Sequence, residues 1–247
     1  MEQVDVQLPS PSGAQSDREE RAQRILDAAA ELLLRWGYKR ITIDDIAQQV
    51  GIGTGTVYLH WKTKEALFES VLLRESLAVW HALIARMRSD PSEVLLHRFL
   101  RAQRLIIGSR PLARALFTKD AALLGKLTQS SVAQQNQQAT TAREVIALLR
   151  SQGLMRSDAD LEVQSYAFSA MVTGAALADQ FLTEADRVPL EVQADAIALL
   201  AQRTFEPDTL PPPHVLRDEI APAMIETLEQ ICAFYEQQLQ MRLVSSS

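Results

Sequence analysis

The sequence predicts an all-α protein: a three-helix helix-turn-helix head followed by a larger helical domain. Apolar residues recur at intervals of three and four through most of the 247 residues. No stretch of useful length alternates as a strand would. Residues 42–68, TIDDIAQQVGIGTGTVYLHWKTKEALF, read as two short helices around a tight turn that carries glycine.

The first helix is expected over about 17–36. Ala22, Ile25, Leu26, Ala29, Leu32, Leu33 and Trp36 form one apolar stripe, and Gly37 stops it. Thr42 then suits an N-cap, with Asp45 three residues on in the T-x-x-D form of a capping box. Ile43, Ile46, Ala47 and Val50 give the second helix, 43–50, its buried face, and Gly51 supplies the left-handed residue that ends it. A third helix runs from about Thr54 to His60, with Gly53 as a permissive cap. In a helix-turn-helix the second of the paired helices enters a DNA major groove. Three helices alone would be marginal, so the head should lean on the helices C-terminal to it.

Beyond the head the chain reads as helix after helix. One segment is expected from Thr63 to about Arg88, one from Pro91 to about Ile107, and one from Pro111 to about Leu127. Residues 128–152 suggest a Gln-rich, then amphipathic helix stopped by Gly153. Helices over 161–182 and about 189–205 come next; PDTLPPP then breaks the chain before a last helix over about 214–243. The expected organisation is a disordered tail at 1–16, a head at 17–62, a helical domain at 63–206, and a linker with an additional helix at 207–247.

Charge narrows the reading. The net charge of −6 is unevenly spread: residues 16–64 hold eight Lys/Arg against seven Asp/Glu, and residues 65–247 hold 17 against 22. The head is the least acidic part, yet its electrostatic footprint is weak, so two copies acting on one site would help. No apolar run has the roughly 18 residues of a membrane span, and the N-terminus lacks a secretory pattern, so a cytoplasmic protein is expected. Cys232 is the only cysteine, which excludes an internal disulfide and a Cys-rich zinc site. The four histidines show no metal-ligand spacing, and no G-x-S-x-G, Walker loop or dinucleotide fingerprint occurs. Neither an enzyme nor a cofactor or metal site is expected.

On the third helix, Val57 and Trp61 should face the head's core while Thr54, Thr56 and Tyr58 look outward. Thr54 and Thr56 suit base-edge contact, since threonine donates, accepts, and offers a methyl to thymine. Gly55 lets backbone approach phosphate closely. Tyr58 and Lys64 suit phosphate anchoring, and Thr42 sits at a helix N-terminus that favours an anion. Each has a plainer reading: Tyr58 as core, Lys64 as a solvated first-turn lysine, Thr42 as a cap only. Their clustering in one short window favours DNA binding.

These residues resemble the DNA-binding signature of the tetracycline-repressor (TetR) family, chiefly through G-T-V-Y at 55–58 and the aromatic-x-x-K-E-x-L pattern at 61–67. ILDAAAELLLRWGYKRITI is also similar to the family's first helix and its lead into the second, so the resemblance covers about residues 20–70. It implies a homodimeric transcriptional regulator, usually a repressor, that binds a double-stranded operator and answers to a small-molecule effector. It also implies a dimer bundle from the last two core helices, here 161–182, rich in Ala, Gly, Ser and Thr, and 189–203, rich in Ala and Leu; from periodicity alone these could equally be core helices of one subunit. The family often has Ser where Gly53 stands and a longer polar residue at Thr54; His60 takes a place often held by an aromatic residue beside the phosphate backbone. A rival reading is a nucleoid or scaffold protein that uses the same head without a small-molecule trigger.

Residues 86–119 carry Arg86, Arg88, Arg98, Arg101, Arg104, Arg110, Arg114 and Lys119 against only Asp90 and Glu93. The favoured reading is a helix face paired with acids elsewhere or lying near DNA. The alternative is that Arg104 reaches inward to an anionic ligand. Trp80, Phe99, Gln103, Phe117, Phe168, Met171, Thr173 and Gln180 would suit an apolar pocket, although such residues are more often plain core.

Overall fold

The computed structural model describes residues 11–128, 143 and 145–243, with side chains from residue 16 onward. Helix α1 (Pro11–Trp36) begins earlier than expected. Residues 11–16 are therefore helix rather than tail: proline is tolerated in a helix's first turn, and Ala14 and Gln15 favour helix. The remainder of the expected tail lies outside the described residues.

Helices α2 (Ile43–Val50) and α3 (Thr54–Tyr58) complete the head. The α1 stripe buries Ile25, Leu26, Ala29, Leu32 and Leu33 against Ile43, Ile46, Ala47, Val57 and Trp61. Trp36 departs from this pattern. It lies 39% exposed, with the Arg35 guanidinium 5.7 Å from its ring centroid. The chain turns at Gly37, and Tyr38 enters the core instead, its ring 5.3 Å edge-on from Phe68 and its N–H donating to the Leu123 carbonyl at 2.8 Å.

Helix α4 (Lys64–Ser89), capped by the Thr63 hydroxyl, links head and body. Leu67, Phe68, Val71 and Leu72 belong to the head's core, whereas Leu77, Ile84 and Met87 belong to the core of the body. Leu112, Ala115 and Leu124 also close the head's core, so the small domain does lean on its neighbour.

Two elements of the body are shorter than expected. Pro91–Val94 forms a 3-10 turn capped by Asp90, and α5 begins only at Leu96 (Leu96–Ser109). The segment from Pro111 divides into α6 (Pro111–Phe117), α7 (Ala121–Leu124) and a 3-10 turn, Gly125–Thr128. Lys119 at φ 50° breaks the run, and the Asp120 carboxylate then caps α7. Most of the expected Gln-rich helix lies outside the described residues; 145–151, α8, is helical. Helices α9 (Leu161–Leu177) and α10 (Leu190–Phe205) come next, and α10 packs along α5. Their approach is close at Gly108, where a β-carbon would lie 2.3 Å from Leu190 Cδ1.

The chain ends in α11 (Pro213–Val215), a π-helical turn at Leu216–Ile220, and α12 (Ala221–Arg242). Pro222 explains the turn: it lacks an N–H, and its ring would crowd the carbonyl four residues back. Helix α12 runs antiparallel to α4. Arg88 pairs with Glu229 and Arg242 Nε meets Glu69 Oε2 at 2.8 Å, while Leu216, Met224 and Leu228 fill the body core. The C-terminal helix thus covers the core and reaches back to the head.

Candidate nucleic-acid interface and effector cleft

The helix-turn-helix is built by local chemistry. The Asp45 N–H donates to Thr42 Oγ1 at 3.2 Å, and the Thr42 N–H returns to Asp45 Oδ2 at 2.7 Å. Hydrogen bonds from the Thr42 hydroxyl first, and from its N–H second, hold the Asp45 carboxyl below the usual carboxylate range. Gly51 adopts φ 73° and ψ 36°, its N–H reaching back to Ala47 and Gln48. The chain then enters α3 at Gly53, whose backbone is extended (φ −73°, ψ 146°).

Helix α3 presents the expected two faces. Val57 is fully buried, and Trp61 beyond the helix is buried too, its Nε1–H donating to Ser70 Oγ at 2.9 Å. Tyr58 is 48% exposed, Thr54 and Thr56 are half-buried, and a β-carbon on Gly53 or Gly55 would meet only open space. Among the described residues, neither the Thr56 nor the Tyr58 hydroxyl has a protein partner. Thr54 is different: its hydroxyl donates to Asp44 Oδ1 at 2.5 Å, tying the first turn of α3 to α2.

Three of the expected contacts are placed less openly. His60 is only 2% exposed, its ring 5.6 Å from that of Trp61, and burial lowers its pKa, with Arg18 and Arg21 adding to the effect. It is a structural residue in this fold, because the turn after α3 directs it inward with Trp61. Lys64 Nζ donates to the Tyr38 carbonyl at 2.6 Å and lies 4.2 Å from that residue's ring centroid. The ammonium is therefore partly committed to the head's own core. The Thr42 hydroxyl and amide both serve the capping box.

Two features of this surface leave no distinctive mark in the sequence. Leu59, 67% exposed, extends the outer surface at the end of α3. An Arg18 Nη lies 3.5 Å from the Leu59 carbonyl, where a helix C-terminus favours a cation. Arg18 and Arg21 sit one turn apart on α1, a spacing indistinguishable in sequence from an ordinary solvated face.

The arginine-rich segment resolves mostly into ion pairs. Arg86 grips Glu93 with two bonds, Arg98 meets Asp90 and Glu93 at 2.8 Å, Arg101 meets Asp195 at 2.6 Å, and Arg110 grips Glu75. Arg104 turns inward. Its side chain is 12% exposed, its nearest carboxylate oxygen (Asp179) is 3.7 Å away, and it donates to Gln193. It lines a narrow cleft between α5, α6, α9 and α10 with Leu100, Ile107, Arg114, Phe117 and Val172. The cleft is open to solvent, and its enclosed part has room for about one water molecule. Gln103 and Phe117 are the two expected pocket residues that line it. Trp80, Phe99, Phe168 and Met171 pack against the cores, and Thr173 and Gln180 are exposed.

Comparison with known proteins agrees with this architecture. Residues 25–71 match the family model described as bacterial regulatory proteins, tetR family. The fatty acid metabolism regulator protein of Bacillus subtilis is 37% identical over 70 residues, 28% of this chain and 34% of that protein. The chain thus spans about a third of the length of the curated relatives it matches. Among solved structures, the B. subtilis transcriptional regulator FadR, in complex with stearoyl-CoA, superposes with a TM-score of 0.54 at 16% identity, covering 72% of this chain and 96% of that one. NalD of Pseudomonas aeruginosa, the secondary repressor of the MexAB-OprM multidrug efflux pump, gives 0.55 at 20% identity, covering 78% and 100%. Most of the chain thus shares the fold of these regulators, and its helix-turn-helix head is of the tetR family.

Proposed function

We propose that this chain, with its tetR-family head, is a ligand-responsive transcriptional regulator, most simply a repressor, that binds a short pseudo-palindromic operator as a homodimer. The carrying observation is the outer face of α3. Gly55 and Tyr58 are exposed and Thr56 half-buried beside them, on a helix-turn-helix whose other face is locked into the core. A dimer would set two such helices into successive major grooves about 34–36 Å apart.

The dimer is supported by α9, α10 and their connection. Tyr166 is 78% exposed and Phe181 84%, and Val163, Val192, Leu199 and Leu200 are also uncovered. An apolar surface of this extent suits a second copy of the same helices in a four-helix arrangement. An effector that prefers one spacing of the heads then shifts the dimer between operator-bound and free states, by no more than its difference in affinity for the two. The cleft beside Arg104 is the natural place for it.

Selection of random duplexes by the full chain at near-physiological salt tests this reading. One enriched pseudo-palindrome, bound by two chains, is the expected result. Diffuse enrichment without a motif would instead favour a nucleoid or scaffold protein that uses the same head without a trigger.

A further inference from the structure

We infer that the cleft between α5, α6 and α9 takes a carboxylate with an apolar tail, its head group received by Arg104 and Arg114. This rests on the effector-responsive reading above and names the chemistry of its effector.

Three observations carry it. First, the walls are apolar: Leu100, Ile107, Phe117, Val172, Ala175 and Ile197 surround the space, and no acidic residue lines it among the described residues. Second, Arg104 and Arg114 are both among the lining residues, with Gln103 and Thr118 as the other polar ones. Third, Arg104 is incompletely satisfied. Its Nε is buried with no hydrogen-bond partner among the described residues, whereas Arg86, Arg98, Arg101 and Arg110 nearby hold carboxylates at 2.6–3.0 Å. Arg114 makes no ion pair among the described residues; burial lowers the pKa of the Arg104 guanidinium, Asp179 opposes this, and the Arg114 charge adds to the lowering. A buried donor without an acceptor, beside a cation that has no ion pair, is a costly arrangement that an anion relieves. A planar carboxylate matches the guanidinium fork, and the tail would lie against the apolar walls.

The enclosed part of the cleft has room for about one water molecule, so the tail must spread α5 and α6 from α9 as it enters. The head group also competes for Arg104 with Gln193 and Asp179. Those two residues are joined to one another, Gln193 Nε2 donating to the Asp179 carboxylate at 3.2 Å, and they tie the α9–α10 connection to α5. Loosening that tie acts on the segment that bears Phe181 and Leu182, within the apolar surface assigned to the dimer. Ligand entry thereby reaches the spacing of the two heads.

Calorimetric titration of the full chain with octanoate and with 4-phenylbutyrate, against their methyl esters and octylamine, tests the inference. Saturable binding of at least one acid is expected, with the ester and the amine at least tenfold weaker. Which acid binds tells an aliphatic from an aromatic tail. Arg104→Met should weaken the acid at least tenfold. Arg104 also holds Gln193, so Arg114→Gln, at an exposed position, provides a second variant expected to lose severalfold in affinity at an unchanged melting temperature. Equal binding of acid and ester, acid binding that survives both substitutions, or no binding of either acid at millimolar concentration would overturn the assignment. Retention of duplex DNA, measured on the same preparation, separates the two levels. If DNA is bound and acids are not, only the ligand chemistry fails; if neither is bound, the regulator reading fails with it.

Discussion

The Thr54 hydroxyl donates to Asp44 Oδ1 at 2.5 Å, so the first residue of the reader helix is fastened to the helix before it. This bond ties α3 to α2 and commits the Thr54 hydroxyl proton, leaving its methyl group and the oxygen's acceptor capacity for a base edge. Asp44 is also an exposed carboxylate next to the reader helix, which in the proposed complex would repel DNA phosphates. Asp44→Asn keeps an oxygen acceptor for Thr54 and removes the charge. The variant is expected to bind all duplexes severalfold more tightly, with the gain largest at low salt. A uniform loss of affinity in filter-binding titrations would mean that Asp44 itself contacts the DNA.

In the proposed complex Tyr58 anchors and Thr56 reads. Tyr58→Phe removes one outward hydroxyl that no protein group engages, and should weaken binding to every sequence by a similar factor, about fivefold for one hydrogen bond of about 1 kcal/mol. Thr56→Val should instead alter the preferred base at one position of each half-site. Parallel selections with the two variants check this; two identical motifs would contradict the division.

Burial of His60 makes the head sensitive to acid. Its pKa is lowered from the ordinary 6.5 by burial first and by Arg18 and Arg21 second. Below about pH 6.5 the unfolded chain therefore takes up a proton that the folded chain resists, and stability falls as pH falls until the folded pKa is reached. Carboxylates such as Asp45 and Asp90, with lowered pKa values, contribute their loss only at more acid pH, from near 3.8 downward. Urea unfolding of the full chain between pH 7.5 and 5 should show the decline, and His60→Gln should flatten it. An unchanged slope in the variant would place the titrating group elsewhere.

Much of the head was legible in the sequence because its determinants are local. The Thr42–Asp45 capping box, the left-handed Gly51 and the inward Val57 and Trp61 are set by spacing alone. Trp36, His60 and Lys64 were not legible in the same way. Periodicity assigns Trp36 to the core, but the chain turns at Gly37 and Tyr38 takes the place; Lys64 looks solvated until α4 brings it onto the Tyr38 carbonyl. The body was harder still, since its arginines are sorted by partners far along the chain. Arg101 finds Asp195 and Arg110 finds Glu75, while Arg104 finds only a distant Asp179, and no local spacing distinguishes the three.

Cys232 offers a probe of the brace formed by α12. It is buried, and its thiol is pushed up to about 11 from 9.0, by burial first and then by Glu236 and Glu229. Near pH 8 the folded thiolate population is then about a hundredfold below that of an ordinary thiol. Iodoacetamide should label the native chain at least that much more slowly than the chain in urea. Fast native labelling would show that α12 opens away from α4 and the body core.

If α3 reads the major groove in two copies one helical turn apart, methylation interference on a duplex recovered by selection will show it. Guanine N7 faces the major groove and adenine N3 the minor groove. The expected pattern is interference at N7 in two clusters whose centres lie about 10 base pairs apart, related by a two-fold axis. Interference confined to adenine N3, or a single unpaired cluster at N7, would contradict both the groove assignment and the dimer.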